Sequence, residues 1–172
     1  MPHRPLAVAN EFIRQFGGGR SISHLKLQKL TYFAQGWWLA LKGNELVMER
    51  PEVWRYGPVF QSLYHAFSGA GDSPITQLEG TNPFTDTPPP SLDAPASESE
   101  RRMVEWVWQQ YGNLTGPQLS DLTHASGTPW RDIAEKRKFR VPMNTPIPEE
   151  ADWKYFAKLA EDRGFTPRPL ER

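Results

Sequence analysis

One run of the chain, from Ser21 to Gly43, limits what the rest can do. Leu27, Leu30, Phe33, Ala34, Trp37 and Leu41 fall on a single helical stripe, while Leu25, Tyr32 and Trp38 lie off it. Ser21 or Ser23 offers an N-cap oxygen and Gly43 with Asn44 a left-handed stop, so the spacing predicts one helix to about Lys42. A helix of about 20 residues that is apolar on more than one face cannot lie on a surface. It is expected to be the central core helix, with the remaining elements packed round it.

Those elements read as mostly helical. Leu6, Val8, Ala9, Phe12, Ile13 and Phe16 recur at helical spacing over Pro5–Phe16, and Gly17, Gly18 and Gly19 end that helix. Between Leu46 and Pro58 the pattern changes: Met48, Val53, Trp54 and Tyr56, interrupted by Pro51, predict one or two short strands ending in a Gly57-Pro58 turn. Helical spacing returns over Val59–Phe67. Residues 69–95 hold six prolines and read as a long loop with a short strand near Pro74–Leu78. Ser97 with Glu100, and Thr115 with Gln118, have the capping-box spacing before helices to about Tyr111 and about Ala125. Thr128-Pro129 starts another, to about Lys136. Pro148, Glu149 and Glu150 form the first turn of a last one, to Asp162, with Trp153, Phe156, Ala157 and Ala160 on its buried side. The expected fold is mainly α. It is a compact bundle of about six or seven helices with a small strand element near residues 46–58. Residues 1–172 are expected to form one domain, with a proline-rich loop at about 69–95 and a C-terminal helix at about 148–162.

Charge and cysteine content remove several functions. Lys plus Arg and Asp plus Glu both number 20, so no global basic field is available to neutralise nucleic-acid phosphates. Locally, cations outnumber acids seven to three over residues 1–50, and acids outnumber cations seven to one over residues 51–100. Such asymmetry reads as solvated faces that attract each other or a partner. The absence of cysteine excludes disulfides, thiolate nucleophiles and cysteine-ligated zinc, and fits a reducing compartment. Met1–Asn10 lacks the apolar core of a signal peptide, and no apolar run approaches the roughly 18 residues of a membrane span. The expected location is the cytoplasm, away from membranes.

No enzyme chemistry is assembled by the spacing. His3, His24, His65 and His124 are far apart and form no HExxH or HxxxH motif, so neither a metal nor a cofactor is expected. There is no nucleophile elbow and no P-loop. Asp121, Thr123, His124 and Ser126 read as a helix end whose histidine meets the C-terminal dipole, rather than as a hydrolytic constellation. Lys136, Arg137, Lys138 and Arg140 form a basic run that reads as a solvated helix end, with a nucleic-acid-binding regulator as the alternative. Seven tryptophans exceed what a core of this size needs, and neighbours such as Trp37 and Trp38 cannot point the same way on a helix. Some are expected to face a groove, which favours a binding module over an enzyme.

Three stretches resemble a known family. Leu25 to Leu30 with Tyr32 to Ala40, then Glu52 to Val59, then Leu119 to His124 followed by Pro129-Trp130-Arg131 are similar to the Panacea domain of phage-associated, SocA-like antitoxins. Leu27, Lys29, Leu30, Phe33, Trp37, Trp54, Tyr56, Gly57, Pro58, Val59, His124, Pro129 and Trp130 carry the motif, and Trp38 stands where the family pattern often has histidine. The resemblance implies a mostly helical fold with a small strand element. It also implies a non-enzymatic role, the binding and neutralising of a cognate protein toxin encoded alongside. For the SocA-like branch it further implies an adaptor that presents the toxin to the ClpXP protease.

Within that frame Lys29, Trp54, Tyr56, Gly57 and Pro58 are expected at the structural centre. Gly57 should take a backbone conformation closed to other residues, and Pro58 should set the entry to the next helix. Toxin contact is expected at Tyr32, Trp38, Arg55 and Tyr64, where the sequence supplies more large side chains than one core can use.

Overall fold

A computed structural model describes residues 1–19, 21–80, 84, 85, 87–92, 94 and 97–172. The described residues form seven α-helices and one hairpin. In chain order they are α1 (Pro5–Phe16), α2 (His24–Lys42), β1 (Glu52–Trp54), β2 (Gly57–Val59), α3 (Gln61–Phe67), α4 (Glu98–Tyr111), α5 (Gly116–His124), α6 (Pro129–Lys136) and α7 (Glu149–Asp162). The fold is mainly α, as the sequence predicts.

Helix α2 is the axis. Ser23 accepts a hydrogen bond from the Lys26 amide at its start, and Gly43 closes it with φ 81°. Every residue from Lys26 to Ala40 is buried, because α1, α3, α4, α5, α7 and β2 all pack against this one helix. Most of the apolar core gathers round it. A second, smaller cluster of Val53, Trp130, Ala134 and Ile147 lies where α6 meets the hairpin.

The polar side chains of α2 are buried too, and each closes on something. Gln28 accepts from the Phe60 amide at 2.9 Å and donates to the Phe60 carbonyl at 3.1 Å. Lys29 donates to the Pro58 carbonyl at 2.8 Å. Gln35 accepts from the amides of Leu46 and Val47 at 2.8 and 3.0 Å. Lys26 reaches the Gly112 carbonyl at 2.6 Å, and Trp37 donates to the Tyr111 hydroxyl at 2.9 Å. Irregular backbone next to a core has to find partners, and α2 supplies them from its own side chains.

Several local expectations are corrected. Gly57 and Pro58 are not the turn but the start of β2, pairing with Trp54 and Val53; Arg55 and Tyr56 turn the hairpin. Val59 is taken by the ladder opposite Glu52, so α3 begins at Gln61. No strand forms over residues 74–78; Ile75 is buried and its amide makes one hydrogen bond, to the Ile22 carbonyl. The expected loop over residues 69–95 lies partly outside the described residues. Ser97 makes no capping box, because its backbone at φ −96°, ψ 17° is not extended and Glu100 is bonded by Ser99 instead. Thr115 with Gln118 does form one, with both reciprocal bonds present. Pro148 is the N-cap of α7 rather than part of its first turn.

Helix α7 lies close against α2. A methyl group built at Gly36 would overlap the ring of Phe156, which is itself fully buried among Tyr32, Phe33 and Trp37. Tyr32 donates to the buried Asp152 carboxyl at 2.6 Å, and burial pushes that carboxyl up to about 7. Gly36→Ala is therefore expected to destabilise the protein by about 1–3 kcal/mol through overpacking, read as a lower melting temperature. An unchanged melting temperature would show that α7 yields freely.

Candidate functional site

The hairpin, α3, α5 and the start of α2 enclose a groove of about 960 Å³, whose lining includes His24, Gln28, Trp54, Arg55, Tyr56, Tyr64, Asp121 and His124. Each element positions its part by a named contact. Lys29 holds the β2 backbone from below through the Pro58 carbonyl, and Gln28 holds the backbone of Phe60 at the start of α3. Ser120 of α5 donates to the Tyr56 carbonyl at 2.7 Å, and Trp130 of α6 donates to the Trp54 carbonyl at 2.8 Å. The hairpin is thus fastened on three sides while its tip stays exposed.

Aromatic rings form the wall. Trp54 and Tyr64 lie 4.8 Å apart between centroids, and Tyr64 and His24 lie 5.6 Å apart. The Trp54 indole donates to Glu52 at 2.8 Å, which fixes its ring plane. Tyr56 is 58% exposed with the Arg55 guanidinium 5.4 Å from its ring centre, and Tyr64 is 40% exposed.

A buried cation lies behind the groove. Lys29 is fully buried, has no ion pair among the described residues, and is brought down to about 7 by burial alone. Burial and the nearby Lys29 charge lower the pKa of His24. For His124 burial acts first and Lys29 second, against a raising effect of Asp121. The His124 ring stacks on Trp130 at 4.0 Å, and its Nε2 is buried without a hydrogen-bond partner. None of the described residues cluster as metal ligands. The groove offers aromatic edges, one exposed cation and hydrogen-bonding groups, which is the equipment of a recognition surface.

Residues 27–131 match the family model described as Antitoxin SocA-like, Panacea domain. The chain belongs to that family. Its groove residues from Gln28 to His124 fall inside the matched segment, whereas α1 and α7 fall outside it. Antitoxin SocA of Caulobacter vibrioides (strain NA1000 / CB15N) is 35% identical over 113 residues, 66% of this chain and 60% of that relative. The chain therefore spans somewhat less than two thirds of that protein's length. No solved structure matches.

Part of the family motif gathers around the hairpin, but Tyr56, expected at the structural centre, stands 58% exposed at its tip, because the two-residue turn carries it outward. Trp54, Tyr56, Val59 and His124 line the groove, Lys29, Gly57 and Pro58 lie behind it, and Trp130 braces it. Leu27, Leu30, Phe33 and Trp37 are core, and Pro129 is buried at the start of α6. Of the four expected contact residues the groove holds Arg55 and Tyr64 but not Tyr32 or Trp38. Those two are buried, at 2% and 8% exposure. Tyr32 is tied to Asp152, and Trp38 donates to Asn44 at 3.0 Å. They lie off the main stripe because α7 and the loop after α2 cover that side as well. The remaining tryptophans pack partly or wholly into the core, so of the seven only Trp54 lines this groove. His24, Gln28 and Asp121 were missed as a group; their signal, polar residues on helices flanking the hairpin, is common to any solvated face.

Gly57 has φ 106°, and an added Cβ would overlap Thr123 and sit 3.0 Å from Lys29 Cε. Gly57→Val is expected to cost at least about 2 kcal/mol from backbone strain and crowding together. Chemical denaturation checks it, and an unchanged midpoint refutes it.

Lys29 gives a pH signature. Unfolded, a lysine keeps its proton to near 10.5; folded, Lys29 loses it near 7. Between those values the unfolded chain binds a proton the folded chain does not, so stability from this group rises with pH above about 7. Lys29→Met should flatten that rise. A variant whose stability climbs as steeply as wild type between neutral and alkaline pH would contradict it.

Proposed function

We propose that this protein is an antitoxin that binds a protein toxin encoded beside it and neutralises it by direct contact in the cytoplasm, catalysing no reaction itself. Membership of the SocA-like family supports the antitoxin role. The observation that carries the contact surface is the hairpin tip, where the Arg55 and Tyr56 side chains stand exposed beside Tyr64 on a backbone fastened by Lys29, Ser120 and Trp130. A rigid platform with aromatic and arginine anchors suits tight binding, because little freedom is lost on association. Delivery of the toxin to ClpXP, which the resemblance to the SocA-like branch implies, is the second reading. Toxin half-life with and without the protease separates the two.

The test is a pull-down and affinity measurement with the product of the adjacent gene. Arg55→Ala, Tyr56→Ala and Tyr64→Ala should each weaken binding, the central anchor by about 2 kcal/mol or more, at an unchanged melting temperature. Trp38→Ala should instead lower the melting temperature, since it opens a cavity in the core. Failure of the wild-type protein to bind any neighbouring gene product would remove the antitoxin reading.

A further inference from the structure

The segment after α6 is built in a way that a solvated helix end does not require. Lys138 and Phe139 are consecutive residues in the left-handed region, with φ of 52° and 57°. L residues with a Cβ adopt it at a cost, and glycine would close the helix more cheaply. The geometry lets the Phe139 amide donate to the Ala134 carbonyl at 2.7 Å while its ring stays outside, 58% exposed, with the Arg131 guanidinium 5.2 Å away. Met143 is exposed just beyond. Lys136, Arg137, Lys138 and Arg140 are all exposed and form no ion pair among the described residues. Glu135, the acid within this run, is held by Arg131 at 2.6 Å. Strain kept on an exposed loop points to a use for the loop.

This loop shares its mounting with the groove. The Trp130 indole donates to the Trp54 carbonyl, the Val53 amide to the Thr145 carbonyl at 2.9 Å, and the Ile147 amide to the Pro51 carbonyl at 2.8 Å. Arg55 at the hairpin tip and the four cations at and beyond the C-terminal end of α6 therefore belong to one stiff unit. Asp72 and Asp121 are the carboxylates that line the groove.

We propose that the loop over residues 136–143 is a second contact for the toxin and takes an acidic segment that also carries an apolar side chain. Carboxylates would meet Lys136, Arg137, Lys138 and Arg140, and the apolar group would meet Phe139 and Met143. The proposal rests on the groove being the toxin site. A nucleic acid would use the cations and leave the two apolar side chains without a partner, and the formal net charge of +0 supplies no wider field to hold it.

The experiment measures association and dissociation of the adjacent gene's product with the full chain at about 50 and about 300 mM salt. Arg137→Gln, Lys138→Gln and Arg140→Gln combined should cut affinity about tenfold at low salt, mainly in the on-rate, and flatten the salt dependence at an unchanged melting temperature. Lys138→Gly with Phe139→Gly should melt about 2–8 °C higher yet bind at least about fivefold weaker. Stability and binding would then move in opposite directions, which a purely structural role does not produce. Wild-type binding that the triple variant retains at both salts overturns the loop and leaves the groove reading standing. Failure of the wild type to bind takes both down. A short duplex DNA that binds the wild type, competes with the toxin and is lost in the triple variant overturns it in favour of nucleic acid.

Discussion

The architecture depends on one helix being buried on all sides while still carrying polar residues. Helix α2 sends Gln28, Lys29 and Gln35 into backbone that belongs to no regular element or to a two-stranded hairpin too short to hold itself. Each of these side chains replaces a ladder or water contact, and a buried carbonyl or amide left alone would cost about 1–3 kcal/mol. The hairpin therefore exists where α2 lets it exist. Lys29 is the extreme case, because a fully buried ammonium has no carboxylate among the described residues to offset its desolvation and gives up its proton near neutrality instead.

Function follows from that support. A hairpin whose backbone, turn included, is tied to α2, α5 and α6 can expose the Arg55 and Tyr56 side chains at its tip without fraying. The exposed rings and guanidinium remain available to a partner, and the loop after α6 is carried by the same mounting. Rigidity and exposure are usually in conflict; here the backbone is held while the side chains of the turn are left exposed.

The parts of the chain outside the family segment complete the burial. Helix α1 covers one side of α2, and α7 covers another through the close approach at Gly36 and the Tyr32–Asp152 hydrogen bond. The last residues run back along the end of α2, where Arg168 donates to the Ala40 carbonyl and Glu171 to the Gly43 carbonyl, both at 2.8 Å.

The sequence by itself determined the helices, because apolar periodicity and capping residues act over a few neighbours: Pro5–Phe16 and the Gly43 end of α2 were legible residue by residue, and its start was narrowed to Ser21 or Ser23, of which Ser23 is the cap. The motif also made the hairpin and its surroundings legible as the place to look. What only the tertiary structure decided was which large side chains face water. Tyr32 and Trp38 resemble surface anchors in sequence, yet α7 and Asn44 reach them from 120 and six residues away. The same distance hid the role of Gln28, whose partner Phe60 lies 32 residues on. Periodicity records which residues share a face of one element. The element that comes to cover that face is fixed by packing between distant segments, and no local pattern carries it.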